Sequence, residues 1–182
     1  SCSRNSCHVT RRPARTSAPA GTSVRGIVDN VMALCNKRIE KSRIVLQLYV
    51  SDEMPEIRCY PQQIQQVLLN LVLNGVYALD QRYPEADPEK ILSISSRQVL
   101  VRGERHAEIV VEDRGMGISP EHRDRIFDPF FTTKEKLGTG LGLSVSLSIV
   151  QAHEGWIRLE TQPGRFARFI VQLPVSGPQA GT

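Results

Sequence analysis

Apolar positions along this chain recur with two different periods, and the changes between them mark out its elements. After Thr22 and Ser23, which suit a helix cap, Val24, Ile27, Val28, Val31 and Leu34 keep the three-and-four spacing of one helix face. The pattern then switches to alternation, and Ile44, Leu46, Leu48 and Val50 predict a half-buried strand. A turn over 51–56 leads to a short second strand at 57–60. Pro61 fits the first turn of a helix, and a long helix is predicted from there to about Arg82. Its apolar face takes Ile64, Val67, Leu68, Leu71 and Ala78. Beyond a loop with two prolines at 83–90, strands over 90–101 and 106–112 are predicted to pair around 102–105 as a hairpin.

Residues 113 to about 138 break this rhythm. They carry glycines, prolines and phenylalanines without a sustained period, which predicts a long functional loop with one short helix near 120–126. A helix from about Leu141 to His153 follows, then a closing strand pair in which Ala167, Phe169, Val171 and Leu173 alternate. This order is satisfied by an α/β (α+β) two-layer sandwich, a mixed and mostly antiparallel sheet of about five strands covered by about three helices.

Composition narrows the setting. The chain has 182 residues, enough for one core, with 40% apolar and 23% charged residues and a net charge of +4. Arg4, Arg11, Arg12 and Arg15 lie in the first 22 residues, so the remainder is closer to neutral and lacks the basic stripe of a nucleic-acid groove. Residues 1–22, rich in Ser, Thr, Arg and Pro, read as a disordered linker, 23–174 as the domain, and 175–182 as a tail. No apolar run approaches the roughly 20 residues of a membrane helix, and no signal peptide is visible. The four cysteines lack paired metal-ligand spacing, although Cys2, Cys7 and His8 stand close together in the tail. A reducing cytoplasm is the expected location.

Three stretches carry candidate chemistry. On the long helix Gln66, Asn70 and Asn74 are spaced by four, with Tyr77 three further on, so they share a face. Asparagine opposes helix preference, while a carboxamide oxygen is a hard neutral ligand suited to Mg²⁺. A plain solvated face is the alternative, but a stripe this narrow and uncharged argues against it. The second stretch, "VEDRGMGI" (111–118), ends a strand at Asp113 and turns through Gly115 and Gly117. A carboxylate there could accept a hydrogen bond from an exocyclic amine such as adenine's, or the segment could be a simple tight turn. In the third, Gly138, Gly140 and Gly142 precede a helix whose N-terminal N–H groups could hold phosphate oxygens. The spacing is neither a Walker A loop nor a Rossmann turn, and the alternative is a flexible loop.

In order, the motifs "NLVLNGVYAL", "DRGMGI", "FDPFFTTK" and "GTGLGLS" resemble the asparagine box, first glycine box, phenylalanine box and second glycine box of one family. That family is the ATP-binding catalytic domain of sensor histidine kinases, within the gyrase, heat-shock chaperone, histidine kinase and mismatch-repair ATPase superfamily. The resemblance runs from about residue 24 to Pro174, and the phenylalanine box is closest to the nitrogen-regulation and oxygen-sensing branches. It implies the Bergerat-type ATP-binding fold.

The resemblance implies roles. Asn74 would ligate Mg²⁺ and Asn70 would support the metal or the phosphates, the two together forming the catalytic pair. Asp113 would read the adenine amine, with Gly115, Gly117 and Ile118 shaping the pocket. Residues 119–137 would form the ATP lid, with Thr133 and Lys134 as weaker contacts. Gly138, Thr139, Gly140, Leu141 and Gly142 would wrap the phosphates. Departures are Gly75 and Tyr77, where relatives often have Ala and a Lys, Arg or Gln, Tyr60 in place of an acidic residue, and Phe166 in place of a glycine.

ATPases of the superfamily place a glutamate at the position of Asn70. Asparagine cannot act as a general base, so rapid hydrolysis is not expected. Transfer to histidine is implied instead, and the acceptor would lie on a separate dimerisation domain, since His8, His106, His122 and His153 all lack its motif. The implied ligands are ATP and Mg²⁺. The implied partners are that histidine-bearing domain of the same parent kinase and, indirectly, a response regulator, with no nucleic acid, no membrane contact and a monomeric isolated domain. Two other readings are an anti-sigma-type serine kinase of the same fold and a non-catalytic nucleotide-binding or docking module. The phenylalanine box opposes the first, and the intact Asn74, Asp113 and glycines oppose the second.

Overall fold

A computed structural model of the chain describes residues 19–133 and 140–178. The elements in chain order are β1 (Ala20–Thr22), α1 (Val24–Lys41), β2 (Val45–Tyr49), β3 (Ile57–Cys59), α2 (Pro61–Arg82), β4 (Ile91–Val101), β5 (Glu104–Asp113), α3 (Pro120–Arg123), α4 (Gly142–Ala152), β6 (Trp156–Gln162) and β7 (Phe166–Pro174). Five strands form one sheet in the order β2-β4-β5-β7-β6. β2 runs parallel to β4, and the other three pairings are antiparallel. The mixed, mostly antiparallel sheet and its helical layer match the sandwich expected from the sequence.

Local chemistry explains most boundaries. Ser23 caps α1, its hydroxyl accepting the Gly26 N–H at 3.3 Å. Pro61 opens α2 where its missing N–H costs nothing. β4 and β5 are joined by Arg102 and Gly103 alone, with φ of 51° and 85°. Two successive positive φ values suit the right-handed twist of a tight hairpin. β5 therefore starts two residues earlier than periodicity suggests.

The core lies between the sheet and helices α1, α2 and α4. Val28, Val31, Leu68, Leu71, Leu92, Ile94, Ile109 and Val171 are all buried within it. α2 packs on α1, α4, β4 and β5, so it is the helix through which the rest of the layer is positioned.

Several expectations need correction. Leu34 is 69% exposed, because the buried stripe of α1 runs on through Met32, Cys35 and Ile39. Leu48 is 37% exposed on β2, an edge strand with a neighbour on one side, whereas Ile44 and Val50 beside it are buried. Ala78 is half-buried. The last three residues of the expected linker form β1, which pairs antiparallel with β3. The expected C-terminal tail begins tied down, since the Val175 N–H bonds to Arg105 and its carbonyl accepts from the Arg58 N–H. Backbone pairing of this kind needs no apolar side chains and leaves no periodic trace. The short helix spans only Pro120–Arg123 rather than 120–126.

Candidate functional site

The asparagine stripe is neither solvated nor core. Asn70, Asn74 and Tyr77 are half-buried and Gln66 is exposed. The Asn70 amide nitrogen donates to the Gly142 carbonyl at 3.1 Å and to the Ser146 hydroxyl at 3.2 Å. Both amide hydrogens are thus directed at α4, and the carboxamide oxygen is the group left to face a ligand. Gly142 opens α4, and its N-cap residue Leu141 supplies no side-chain cap. Among the described residues no side chain caps this helix, and its first-turn N–H groups are the kind that hold an anionic acceptor.

One and a half turns along α2, the same helix meets β5. Asp113 ends that strand with 4% exposure. The Gly115 N–H donates to its Oδ1 at 2.9 Å. Burial pushes the Asp113 carboxyl up to about 7, opposed by the Gly115 hydrogen bond, with nearby Glu112 adding a smaller upward push. Two glycines make the close approach possible. A Cβ on Gly75 would stand 2.9 Å from the Leu92 side chain and 3.3 Å from the Asp113 Cβ. A Cβ on Gly115 would stand 2.6 Å from Asp113 Oδ1 and 2.7 Å from the Ala78 backbone. The departure at Gly75 thus has a local reason, since α2 lies directly on the carboxylate.

The first glycine turn rests on the β6–β7 hairpin. Gly117 has φ of +65°, and a Cβ there would collide with the Gln162 carbonyl at 2.3 Å. The Met116 carbonyl accepts the Gly164 N–H at 2.7 Å, and the Ile118 N–H donates to the Thr161 hydroxyl at 2.9 Å. That hydroxyl donates in turn to the Phe166 carbonyl at 2.7 Å. Ile118 itself packs half-buried against the core.

The phenylalanine box divides by function of its rings. Phe127 meets Phe169 edge-on at 6.5 Å, and Phe131 lies against His122 and under the Arg125 guanidinium. Phe130 instead points outward, 75% exposed, with φ of 66°. Its N–H donates to the Gly140 carbonyl at 2.9 Å, tying the phenylalanine box to the second glycine box. Thr133 is exposed. Lys134, Gly138 and Thr139 lie outside the described residues.

The structure therefore brings Asn70 to Gly142 and Ser146, and Asp113 to Gly75 and Gly115, along one helix. Periodicity missed Arg82, whose side chain reaches three carbonyls around the first glycine turn. A polar hollow of about 440 Å³ lies away from these motifs, between the C-terminal ends of α1 and α2. It is built around Lys90, 2% exposed, whose ammonium pairs with Asp80 at 2.9 Å and donates to the Tyr83 carbonyl at 2.8 Å. Ser42 and Arg38 also bond to Asp80, so this hollow reads as a structural ion-pair network. No helix among the described residues is long and apolar enough to cross a membrane.

Comparison with known proteins places the chain in a family. The family model described as histidine kinase-, DNA gyrase B- and HSP90-like ATPase matches residues 59–177. The chain is 34% identical over 150 residues to the sensor histidine kinase ZraS of Escherichia coli, covering 82% of this chain and 30% of that one. It is 35% identical over 156 residues to the sensory histidine kinase/phosphatase NtrB of Salmonella typhimurium, covering 84% of this chain and 43% of the relative. It thus spans less than half the length of either. A nucleotide-free catalytic domain of the histidine kinase ThkA superposes with a TM-score of 0.74 at 27% identity, over 88% of this chain and 97% of the other. The chain belongs to the histidine kinase-, DNA gyrase B- and HSP90-like ATPase family, the conclusion to which its asparagine helix, buried strand-end carboxylate and glycine turns had led.

Proposed function

We propose that this domain binds Mg·ATP and transfers the γ-phosphate to a histidine on a separate dimerisation domain of the same parent kinase, from which a response regulator would receive it. The observation that carries this reading is that one helix, α2, meets both the start of α4 and the buried strand-end carboxylate. Asn70 is bonded to the start of α4, and Gly75 lies against Asp113. Five residues of helix rise separate these points by about 7.5 Å. The adenine amine would donate to Asp113, while the phosphates would meet the uncapped first turn of α4.

The donor set fits Mg²⁺. Among the described residues no cluster of three or more His, Cys, Asp or Glu side chains could hold a metal ion. The oxygens assigned to it are the carboxamides of Asn70 and Asn74, which suit a cation that keeps its waters and arrives bound to phosphates. When bound, Mg²⁺ supplies neutralisation of phosphate charge. Asn70 has no basic group with which to activate water, so the domain holds ATP without directing hydrolysis. Its contribution is positioning: the γ-phosphorus is presented to an incoming histidine nitrogen, whose lone pair forms the new P–N bond as the bond to the β,γ-bridging oxygen breaks and ADP leaves. The phosphoryl-accepting domain and a cytoplasmic location belong to this proposal.

The test is phosphoryl transfer in trans, from γ-labelled ATP with Mg²⁺ to the purified histidine domain. The chain should label that domain, and Asn74→Ala should reduce labelling by about 100-fold with an unchanged circular dichroism spectrum. No labelling by the native chain overturns the kinase reading. Undiminished labelling by the variant overturns the metal assignment.

A further inference from the structure

Arg82, the last residue of α2, makes contacts that no motif calls for. Its Nη1 donates to the carbonyls of Arg114 at 3.2 Å, Gly115 at 3.0 Å and Arg165 at 3.2 Å. The guanidinium also lies 5.0 Å from the centre of the Tyr83 ring. No ion pair of Arg82 occurs among the described residues. An arginine at a helix C-terminus ordinarily faces the helix's own last carbonyls or solvent. This one gathers carbonyls from two separate turns, the turn after Asp113 and the β6–β7 turn.

Those two turns are the ones that frame Asp113. Gly115 supplies both a carbonyl to Arg82 and the N–H that holds Asp113 Oδ1. The β6–β7 turn supplies Arg165 to Arg82, and it holds the same segment again through Gly164 and Thr161. Three carbonyl dipoles converging on one point repel each other unless a cation sits among them, and charge-assisted hydrogen bonds are the strong class. Without the cation the 114–115 turn would relax away from α2, and the Gly115 N–H would lose its alignment on the carboxylate.

We infer that Arg82 is a positioning residue for base recognition, acting through the 114–115 turn to hold the Asp113 carboxylate at the angle that selects an amine over a carbonyl on the purine ring. The inference rests on the nucleotide-binding reading above. An ionised carboxylate attracts the exocyclic amine of adenine and repels the corresponding carbonyl of guanine, so its aim sets the preference for ATP over GTP. Among the described residues, the contacts of Arg82 are to the backbone carbonyls of these turns and to the Tyr83 ring.

The experiment is a titration of the chain with Mg·ATP and Mg·GTP, comparing the native protein with Arg82→Gln and Arg82→Lys. The native chain should prefer ATP. Arg82→Gln should weaken ATP binding about 10-fold while leaving the weak GTP binding within about 2-fold, so the preference collapses. Arg82→Lys should restore most of it, because an ammonium keeps the positive charge and presents three N–H donors. A general loosening of the fold would lower both affinities together and leave the ratio unchanged, and that outcome overturns the inference. If Arg82→Gln fails to fold, Arg82→Met should show the same collapse of the ratio, and a methionine variant that folds and keeps the native ratio overturns the inference. A native chain that binds neither nucleotide defeats the underlying reading instead.

Discussion

Two buried carboxylates on β5 have been treated in opposite ways by this fold. Glu108 and Asp113 are five residues apart, so they face opposite sides of the sheet. Glu108 is satisfied by its neighbours on the adjoining strands. Arg97 on β4 donates to its Oε1 at 2.6 Å, and Gln172 on β7 donates to its Oε2. Asp113 has a backbone N–H from Gly115 but no ion pair among the described residues, and burial raises its carboxyl to about 7. The register opposite Asp113 supplies Leu92 and Ala167, residues with nothing to offer a charge. A carboxylate given a full set of partners is structural. One left short of them, with Gly75 and Gly115 packed against it, is a candidate to bind a donor from outside.

The sharpest way to break this comparison is Asp113→Asn. The amide presents a donor where the adenine amine needs an acceptor, so nucleotide affinity should fall about 100-fold or more, measured by calorimetry. The same substitution should raise the midpoint of thermal unfolding at pH 8, because a charge that burial disfavours has been removed. Loss of both affinity and stability would mean that Asp113 is structural after all.

Glu108→Ala probes the other carboxylate. The Gln172 amide would lose its acceptor in a site only 7% exposed, at a cost of about 2 kcal/mol in denaturant unfolding. Nucleotide affinity should stay within about 2-fold. A large loss of affinity without loss of stability would erase the distinction between the two groups.

The smallest effect is in pH. A folded-state value raised above the ordinary 3.8 means that the folded chain holds this proton more tightly than the unfolded chain. The Asp113 contribution to stability is therefore complete in acid below that ordinary value and is lost as pH rises through about 7. Binding runs the other way, since the amine selects the ionised form. Affinity for ATP should rise about 10-fold between pH 6 and pH 8 in the native chain. It should rise less in Asp113→Asn, where only the nucleotide's own phosphates titrate. Equal slopes in the two proteins would show that Asp113 does not titrate in this range.

Much of the fold could be read from periodicity because its long elements each bury one continuous face. α2 is the clearest case: Pro61 starts it, and Ile64, Val67, Leu68 and Leu71 line its inner side. Edge elements were less legible. β1 has no apolar pattern at all and exists because β3 offers it unpaired backbone groups. Leu34 and Leu48 kept the right spacing but fell where no second layer covers them. Lys90 stood at the boundary of a predicted loop and strand and is instead the buried partner of Asp80, a contact made in space that no periodicity records.

The candidate site shows the same division. Asn70, Asn74, Asp113 and the glycines announced themselves by local chemistry, because each residue type is unusual in its element: carboxamides inside a helix, a charge at the end of an apolar strand, glycines before a helix. Arg82 gave no such signal, since an arginine at the end of an amphipathic helix is ordinary, and its importance depends on where the carbonyls of Arg114, Gly115 and Arg165 lie. By itself the sequence determined the family, most of the order of elements and the candidate residues for a nucleotide site. The tertiary structure alone decided which acidic group is neutralised by its neighbours and which is not, because burial and partnership are properties of the packed chain and not of any segment of it.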